Sequence, residues 1–243
     1  MPPSPGILYI VATPIGNLED VTYRAIRVLS TVDYLAAEDT RRTKKLLNTY
    51  GIAARLVSYH DHNKARQAGR IVSDLQAGKS VALVCDAGTP GISDPGYLLI
   101  NAAIETLIPV VPIPGASAAI AALSASGLPT DRFVFEGYLP RKKGRRRTHL
   151  QSFREEERTI IIYESPHRIM AVLGDVLDIC GDRHIVIARE LTKLHEEIFR
   201  GLLSKLLKDW SGKTVKGEIT VLIASAHHTA RINASIAVPE HLS

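Results

Sequence analysis

Hydrophobic residues in this chain follow two rhythms. Short, wholly apolar runs are separated by longer stretches in which apolar positions return every three or four residues. The first rhythm predicts buried strands and the second predicts helices lying on them. Ile7–Ala12 reads as a strand, followed by a helix carrying Val21, Ala25, Val28, Leu29 and Val32 with Asp20 as its cap. Tyr34–Ala37 is a short strand, Thr40–Asn48 a basic helix stopped near Gly51, and Leu56–Tyr59 a third strand. Ala68, Ile71, Val72 and Leu75 share one face of a helix ending at Gly78. Val81–Val84 (strand), Tyr97–Thr106 (helix), Val110–Ile113 (strand) and Ala116–Ser126 (helix) complete the first half.

The second half opens near Leu128-Pro-Thr-Asp131. It offers strands at Phe133–Glu136, Thr159–Tyr163, His184–Arg189, Glu196–Phe199 and Ile219–Ala224, with helices at Pro166–Ile179 and Leu202–Leu207. Alternating strands and helices place the chain in the α/β class, with mainly parallel pairing first and mixed pairing later. The expected organisation is two α/β domains, residues 1–127 and 128–226, with frayed ends at residues 1–5 and 227–243.

The chain has 243 residues, 45% of them hydrophobic and 23% charged, enough to bury a real core. Cys85 and Cys180 lie far apart and form no CxxC pair, which speaks for reduced thiols and against a disulfide framework or a zinc site. The apolar run at the first strand is too short for a secretory signal, and Glu105 interrupts the best membrane-span candidate. A cytoplasmic protein without a membrane partner is therefore expected. The net charge of +5 is concentrated in Arg141-Lys-Lys-Gly-Arg-Arg-Arg147, without which the chain would be close to neutral.

Three loops that follow buried strands are rich in Gly and Pro. They are Ala12-Thr-Pro-Ile-Gly-Asn17, Cys85-Asp-Ala-Gly-Thr-Pro-Gly-Ile-Ser-Asp-Pro-Gly96, and Ile113-Pro-Gly-Ala-Ser117. Ligands of open α/β sheets bind at the carboxyl ends of strands, and glycine lets backbone approach them closely. Each loop alone reads equally as a tight turn; three in one topological position point to a pocket. No GxGxxG is present, and Gly212-Lys-Thr214 lacks the first P-loop glycine because Leu207 stands there. A nucleoside or amino-acid group read by backbone remains, with Asp86 and Ser117 as polar anchors.

Together, Ile10-Val-Ala-Thr-Pro-Ile-Gly-Asn-Leu-Glu-Asp20, Ala37-Glu-Asp-Thr-Arg41, the loop from Asp86 to Gly96, Pro114-Gly-Ala-Ser117, Tyr163-Glu-Ser-Pro-His-Arg168 and Arg189-Glu-Leu-Thr-Lys193 resemble the tetrapyrrole-methylase superfamily. The match is closest to its ribosomal-RNA-modifying branch and runs in order from about Ile7 to Ala224. The resemblance implies an S-adenosylmethionine-dependent enzyme that methylates a cytidine 2′-hydroxyl in the decoding region of small-subunit (16S) rRNA. Free rRNA and the assembled small subunit both remain open as substrate. It also implies two α/β domains with the cofactor in the cleft between them, and a homodimer. Carried onto this sequence, the cofactor residues are Pro14, Asp86, Ala87, Gly88, Thr89, Ser117 and Ala118. Tyr163 or Glu164, Leu191, and the backbone near Glu218 and Ile219 follow as second-domain positions. Precorrin-type members carry Gly-Asp-Pro where this chain has Cys85-Asp86-Ala87, a departure that argues against a tetrapyrrole substrate.

For methyl transfer to a hydroxyl, positioning supplies most of the rate and a base or cation helps remove the proton. Asp39 and Arg41, after a predicted strand, are one candidate pair; Asp39 or Thr40 serves as well as a helix cap. Glu190 and Lys193 are the other pair, with a surface ion pair as the alternative. His60-Asp-His62 has no third ligand nearby and reads as a polar loop. The basic run supplies the RNA contacts: Arg141, Lys142, Lys143, Arg145, Arg146 and Arg147, with a solvated helix start or loop as the alternative and Tyr138 as a stacking surface. Other functions compatible with the sequence are the same cofactor acting on a tetrapyrrole or a diphthine-type protein side chain, and a non-catalytic RNA-binding module.

Overall fold

The computed structural model describes residues 4–236. The chain forms two compact units that divide after Ser117. In the first, β1 (Leu8–Val11), β2 (Tyr34–Ala37), β3 (Leu56–Ser58), β4 (Val81–Val84) and β5 (Val110–Ile113) make one sheet in the order β3-β2-β4-β1-β5. Every pairing in it is parallel. The connecting helices are α1 (Tyr23–Thr31), α2 (Thr40–Thr49), α3 (Lys64–Gln76) and α4 (Gly96–Glu105).

Alternation along the strands sorts the core into two layers. Leu8, Ile10, Tyr34, Ala36, Val81 and Leu83 pack on one face with Ile71 and Leu75 of α3 and Leu99 and Ala103 of α4. Val11, Leu35, Ala37, Ala82 and Val84 pack on the other with Ala25 and Leu29 of α1 and Leu46 and Leu47 of α2. Both faces are covered, which is why these strands read as unbroken apolar runs. Pro112 sits in β5 at the sheet edge, where a missing N–H costs no ladder bond. Thr22, not Asp20, caps α1: its hydroxyl accepts the Ala25 N–H at 3.1 Å, while Asp20 ends a short 3-10 turn over residues 18–20.

The second unit contains α5 (Ala118–Ser124), β6 (Phe133–Tyr138), α6 (Lys143–Leu150), β7 (Thr159–Glu164), α7 (Ile169–Cys180), β8 (His184–Arg189), β9 (Glu197–Leu202), α8 (Leu203–Trp210), β10 (Ile219–Ile223) and α9 (Ala226–Ile236). Its sheet runs β6-β7-β10-β8-β9, parallel between β6 and β7 and antiparallel elsewhere. Leu150 of α6, Val172 and Val176 of α7 and Leu203 and Leu206 of α8 cover one face; Ala119, Ala122 and Leu123 of α5 pack on the other against Ile161, Val186 and Leu222. The expected boundary after residue 127 assigns α5 to the first unit. The observed division falls earlier because the apolar side of α5 belongs to the second sheet.

Two further elements differ from expectation. The basic run, expected to carry RNA contacts with a solvated helix start or loop as the alternative, leads into α6 with exposed residues 141–145 but continues into buried Arg146, which with Leu150 one turn on fixes the helix. The tail expected from residue 227 begins as α9, where the Ser225 hydroxyl accepts the His228 N–H at 3.1 Å and the Thr229 hydroxyl accepts the His184 N–H, also at 3.1 Å. Residues 1–3 and 237–243, the remainder of the expected frayed ends, lie outside the described residues. Among the described residues no helix is long and apolar enough to cross a membrane, and no group of metal-ligating side chains gathers.

Candidate active site

The three Gly/Pro loops leave the carboxyl ends of β4, β1 and β5, which are neighbours in the first sheet. Backbone bonds lace them together. Thr13 and Gly88 exchange N–H···O bonds of 2.9 and 3.0 Å, and the Thr13 hydroxyl donates to the Cys85 carbonyl at 3.2 Å. The Thr89 hydroxyl donates to the Ala116 carbonyl at 3.3 Å. Gly88 holds a left-handed φ of 81°. A Cβ on Gly115 would lie 2.9 Å from that of Ala12, so only glycine lets the β5 loop run this close to the β1 loop. Within the long loop, Asp94 Oδ1 accepts from the N–H groups of Gly91 and Gly96 at 2.8 and 2.7 Å, fixing its turn.

Beside these loops the first unit holds a small pocket of about 70 Å³, lined by Thr13, Pro14, Cys85 and Asp86 with Arg42 and Thr43 of α2. Of the expected cofactor residues, Pro14 and Asp86 line it and Ala87, Gly88 and Thr89 continue from it. Asp86 Oδ1 accepts the Asp39 N–H at 2.9 Å, and Oδ2 lies 3.4 Å from the Arg42 guanidinium. Ser117 ends the β5 loop and Ala118 opens α5. Cys85 is buried, Cys180 is partly so, and both thiols are free. Burial pushes the Cys85 thiol up, so it stays protonated as a small apolar filler.

Asp39 and Arg41 come together as expected, but in a closed arrangement. Asp39 caps α2 by accepting the Arg41 N–H at 2.8 Å, and its two oxygens take the Arg41 guanidinium at 3.1 and 2.8 Å. Hydrogen bonds from the Arg41 side chain and N–H hold the Asp39 carboxyl at about 2, too acidic to draw a proton from a hydroxyl at neutral pH. Glu38, one residue earlier, was not an expected site residue and differs in every respect. Its half-buried carboxylate accepts the Asp86 N–H and faces Asp86, Asp94 and Asp61, and among the described residues no cation pairs with it. Burial, then the Asp86 charge, raise its pKa. The sequence placed Glu38 at a strand end; it could not show that α2 would consume Asp39 and spare Glu38.

In the second unit Glu190 and Lys193 also meet. Lys193 Nζ reaches Glu190 Oε1 at 2.8 Å and Glu218 Oε2 at 2.9 Å, and Glu190 Oε1 accepts the Glu218 N–H at 2.8 Å. The Lys193 bond leads the causes that lower the Glu190 pKa. For Lys193, burial works against its charge but the two carboxylates outweigh it and raise its pKa. Each partner thus holds its charge more firmly, which suits a structural clasp better than proton transfer. The clasp secures a turn in which Glu190 and Thr192 adopt left-handed φ values of 51° and 66°. Gly217 is required beside it, because a Cβ there would run into the Glu190 side chain.

The Tyr163 hydroxyl accepts the Ala119 N–H at 3.2 Å, and its ring packs edge-on against Phe135 and Tyr138. Glu164, the expected alternative to Tyr163, lies inside the second unit. It is 2% exposed, with one oxygen taken by the Ser165 N–H and the other facing Arg168 at 3.2 Å. Near the expected backbone positions, the Glu218 carbonyl accepts the Glu190 N–H at 2.9 Å; Ile219 is buried and Leu191 packs against the α5 side of the sheet.

The basic run splits in two. Arg141, Lys142, Lys143 and Arg145 are exposed. Arg146 is buried, its guanidinium bonded to Asp175 Oδ2 at 2.8 and 2.6 Å, and Arg147 bridges Asp175 and Asp178 at 2.7 and 3.0 Å. Arg146 is therefore withdrawn from the expected RNA contacts and Arg147 is largely committed, because α6 needs both to dock on α7.

The sequence pattern of the Tetrapyrrole (Corrin/Porphyrin) Methylases matches residues 7–207. Three proteins called ribosomal RNA small subunit methyltransferase I are similar over most of their length. That of Halalkalibacterium halodurans is 55% identical over 218 residues, covering 90% of this chain and 75% of the other. That of Synechocystis is 54% identical over 222 residues (91% and 80%), and that of Escherichia coli O157:H7 51% over 228 (92% and 79%). A crystal structure of uroporphyrin-III C-methyltransferase from Thermus thermophilus complexed with S-adenosylhomocysteine superposes with a TM-score of 0.65 at 16% identity, covering 93% of this chain and all 100% of that one. Diphthine synthase superposes with a TM-score of 0.67 at 16% identity, covering 90% of each chain. Those two likenesses speak for the fold alone. The chain belongs to the tetrapyrrole (corrin/porphyrin) methylase family and, within it, to the group named ribosomal RNA small subunit methyltransferase I.

Proposed function

We propose that this protein uses S-adenosylmethionine to methylate the 2′-hydroxyl of a cytidine in the decoding region of small-subunit (16S) rRNA, acting in the cytoplasm as a homodimer. The observation that carries the proposal is identity of 55% and 54%, over nine-tenths of this chain, to proteins named for small-subunit rRNA methylation. Bound S-adenosylmethionine supplies an electrophilic methyl group on a positively charged sulfur. The first unit's loops suit such a ligand, since a Cβ on Gly88 would fill the space between Ile15 and Ala116. Pro14, Asp86–Thr89 and Ser117 of the first unit hold it. Arg141, Lys142, Lys143 and Arg145 grip phosphates, and Tyr138, 59% exposed, offers a ring to an unpaired base.

A tetrapyrrole or a diphthine-type side chain is less well supported, because relatives at 46% to 55% identity are named for rRNA. Methyl-labelled S-adenosylmethionine incubated with small ribosomal subunits, protein-free rRNA, a uroporphyrinogen and translation elongation factor separates the possibilities. Label is expected in the RNA of one or both of the first two; label in the tetrapyrrole or the protein would overturn the proposal.

A further inference from the structure

We infer that the carboxylate of Glu38 takes the proton released by the acceptor hydroxyl, an inference that rests on the hydroxyl-methylating function proposed above. The geometry works by elimination among the carboxylates at this end of the first sheet. Asp39 is spent on the α2 cap and the Arg41 guanidinium. Asp86 holds the Asp39 N–H and faces Arg42, and Asp61 is paired with Lys64 Nζ at 2.8 Å. Asp94 fixes its own loop through one oxygen, and its other oxygen is sealed inside the protein. Glu38 remains, partly open to solvent and next to the loop that lines the pocket.

Its position is also chemically apt. It directly follows β2, which pairs with β4, so Glu38 and the Asp86 loop leave adjacent strands in the same direction. The charges that act most strongly on it are Asp86 and Asp94 from the β4 loop and Asp61 from the loop after β3, all acidic. The neighbouring cation, Arg42, is turned to Asp86. Burial and these charges raise the proton affinity of Glu38 above that of an ordinary glutamate, the direction that favours a general base. In the reaction the acceptor O–H bond breaks and its proton passes to a Glu38 oxygen. The hydroxyl oxygen keeps that pair and forms the new bond to the methyl carbon, while the pair of the broken C–S bond stays on sulfur and cancels its positive charge. Solvent then takes the proton from Glu38.

The test uses the full chain, Glu38→Gln and Glu38→Asp. Single-turnover methyl transfer to small subunits is expected to fall by about 10²-fold or more in Glu38→Gln, with the acidic limb of its pH profile lost and partial recovery in Glu38→Asp. Calorimetric binding of S-adenosylhomocysteine, filter binding of subunits and the melting temperature are expected to stay at wild-type values. A structural role would lower the melting temperature instead. Carbon-13 NMR of the wild-type protein is expected to show the Glu38 carboxyl titrating above the ordinary glutamate range. Wild-type transfer rates or an intact acidic limb in Glu38→Gln would overturn the inference alone, as would a Glu38 carboxyl titrating at or below the ordinary range. A wild-type protein that binds S-adenosylhomocysteine but methylates no RNA would overturn the proposed function and this inference with it.

Discussion

The backbone N–H of Asp39 donates to Oδ1 of Asp86 at 2.9 Å, joining the residue that caps α2 to the loop that leaves β4. The bond crosses between two adjacent parallel strands, so the start of the basic helix and the candidate cofactor loop are held as one piece. Replacing Asp86 with Ala removes that acceptor and the carboxylate facing Arg42. Calorimetry with S-adenosylhomocysteine is expected to show a loss of affinity of roughly tenfold or more, the scale of one charge-assisted hydrogen bond. Unchanged affinity would separate the pocket beside Asp86 from cofactor binding.

Asp39→Asn is expected to behave quite differently. Asn caps helices as well as Asp, so α2 survives while the hold on Arg41 weakens. Because the Asp39 carboxyl sits at about 2, it is ionised throughout the neutral range in the wild type. The pH–rate profile of methyl transfer therefore keeps its shape in the variant. A lost limb would mark Asp39 as the base and exclude Glu38.

The four exposed cations of the basic run are expected to act on RNA and not on the fold. Changing Arg141, Lys142, Lys143 and Arg145 together to Ala weakens small-subunit binding. It also flattens the plot of log affinity against log salt, by about 0.7–0.9 for each phosphate that the variant no longer neutralises. Thermal melting and S-adenosylhomocysteine binding stay as in the wild type. An unchanged salt slope would show that RNA lies elsewhere.

Asp175 is expected to carry stability instead. It is 5% exposed and receives both Arg146 and Arg147. Asp175→Ala leaves the Arg146 guanidinium buried without its partner and costs about 3–5 kcal/mol in chemical denaturation. Burial pushes the Asp175 carboxyl up, but the bonds from Arg147 and Arg146 outweigh it and lower its pKa in the fold. Its contribution is therefore complete above the ordinary aspartate range and is lost as pH falls through the lowered value. The stability gap between wild type and Asp175→Ala narrows on acidification; a gap that widens would reverse this assignment.

Gly88→Ala forces a side chain into a left-handed conformation, at about 1–2 kcal/mol of folding stability. Gly115→Ala instead presses the β5 loop away from Ala12. Both are expected to weaken S-adenosylhomocysteine binding in calorimetry while circular dichroism stays native. Wild-type affinity in both would show that the spacing of these loops is not what the ligand reads.

Much of this was legible in the sequence for identifiable reasons. The strands Tyr34–Ala37 and Val81–Val84 are buried on both faces, so their apolar runs needed no tertiary context to be recognised. The Gly/Pro loops announced their place at strand ends by composition. What stayed hidden depended on partners distant in sequence. Helix α6 buries an arginine where a helical pattern would show an apolar residue, and Asp175, which permits this, lies 29 residues away. The end of the first unit was obscured because the small residues of α5 suit either sheet. The roles of Glu38 and Asp39 cannot be separated in sequence, since the cap geometry and the approach of Asp86 decide between them.

Nucleoside analysis by mass spectrometry of small-subunit rRNA, after incubation with the protein and S-adenosylmethionine, tests ribose methylation most directly. The expected product is 2′-O-methylcytidine in the decoding region, absent when the protein is omitted. A methyl group on a base, on ribosomal protein or on no component of the subunit would contradict it.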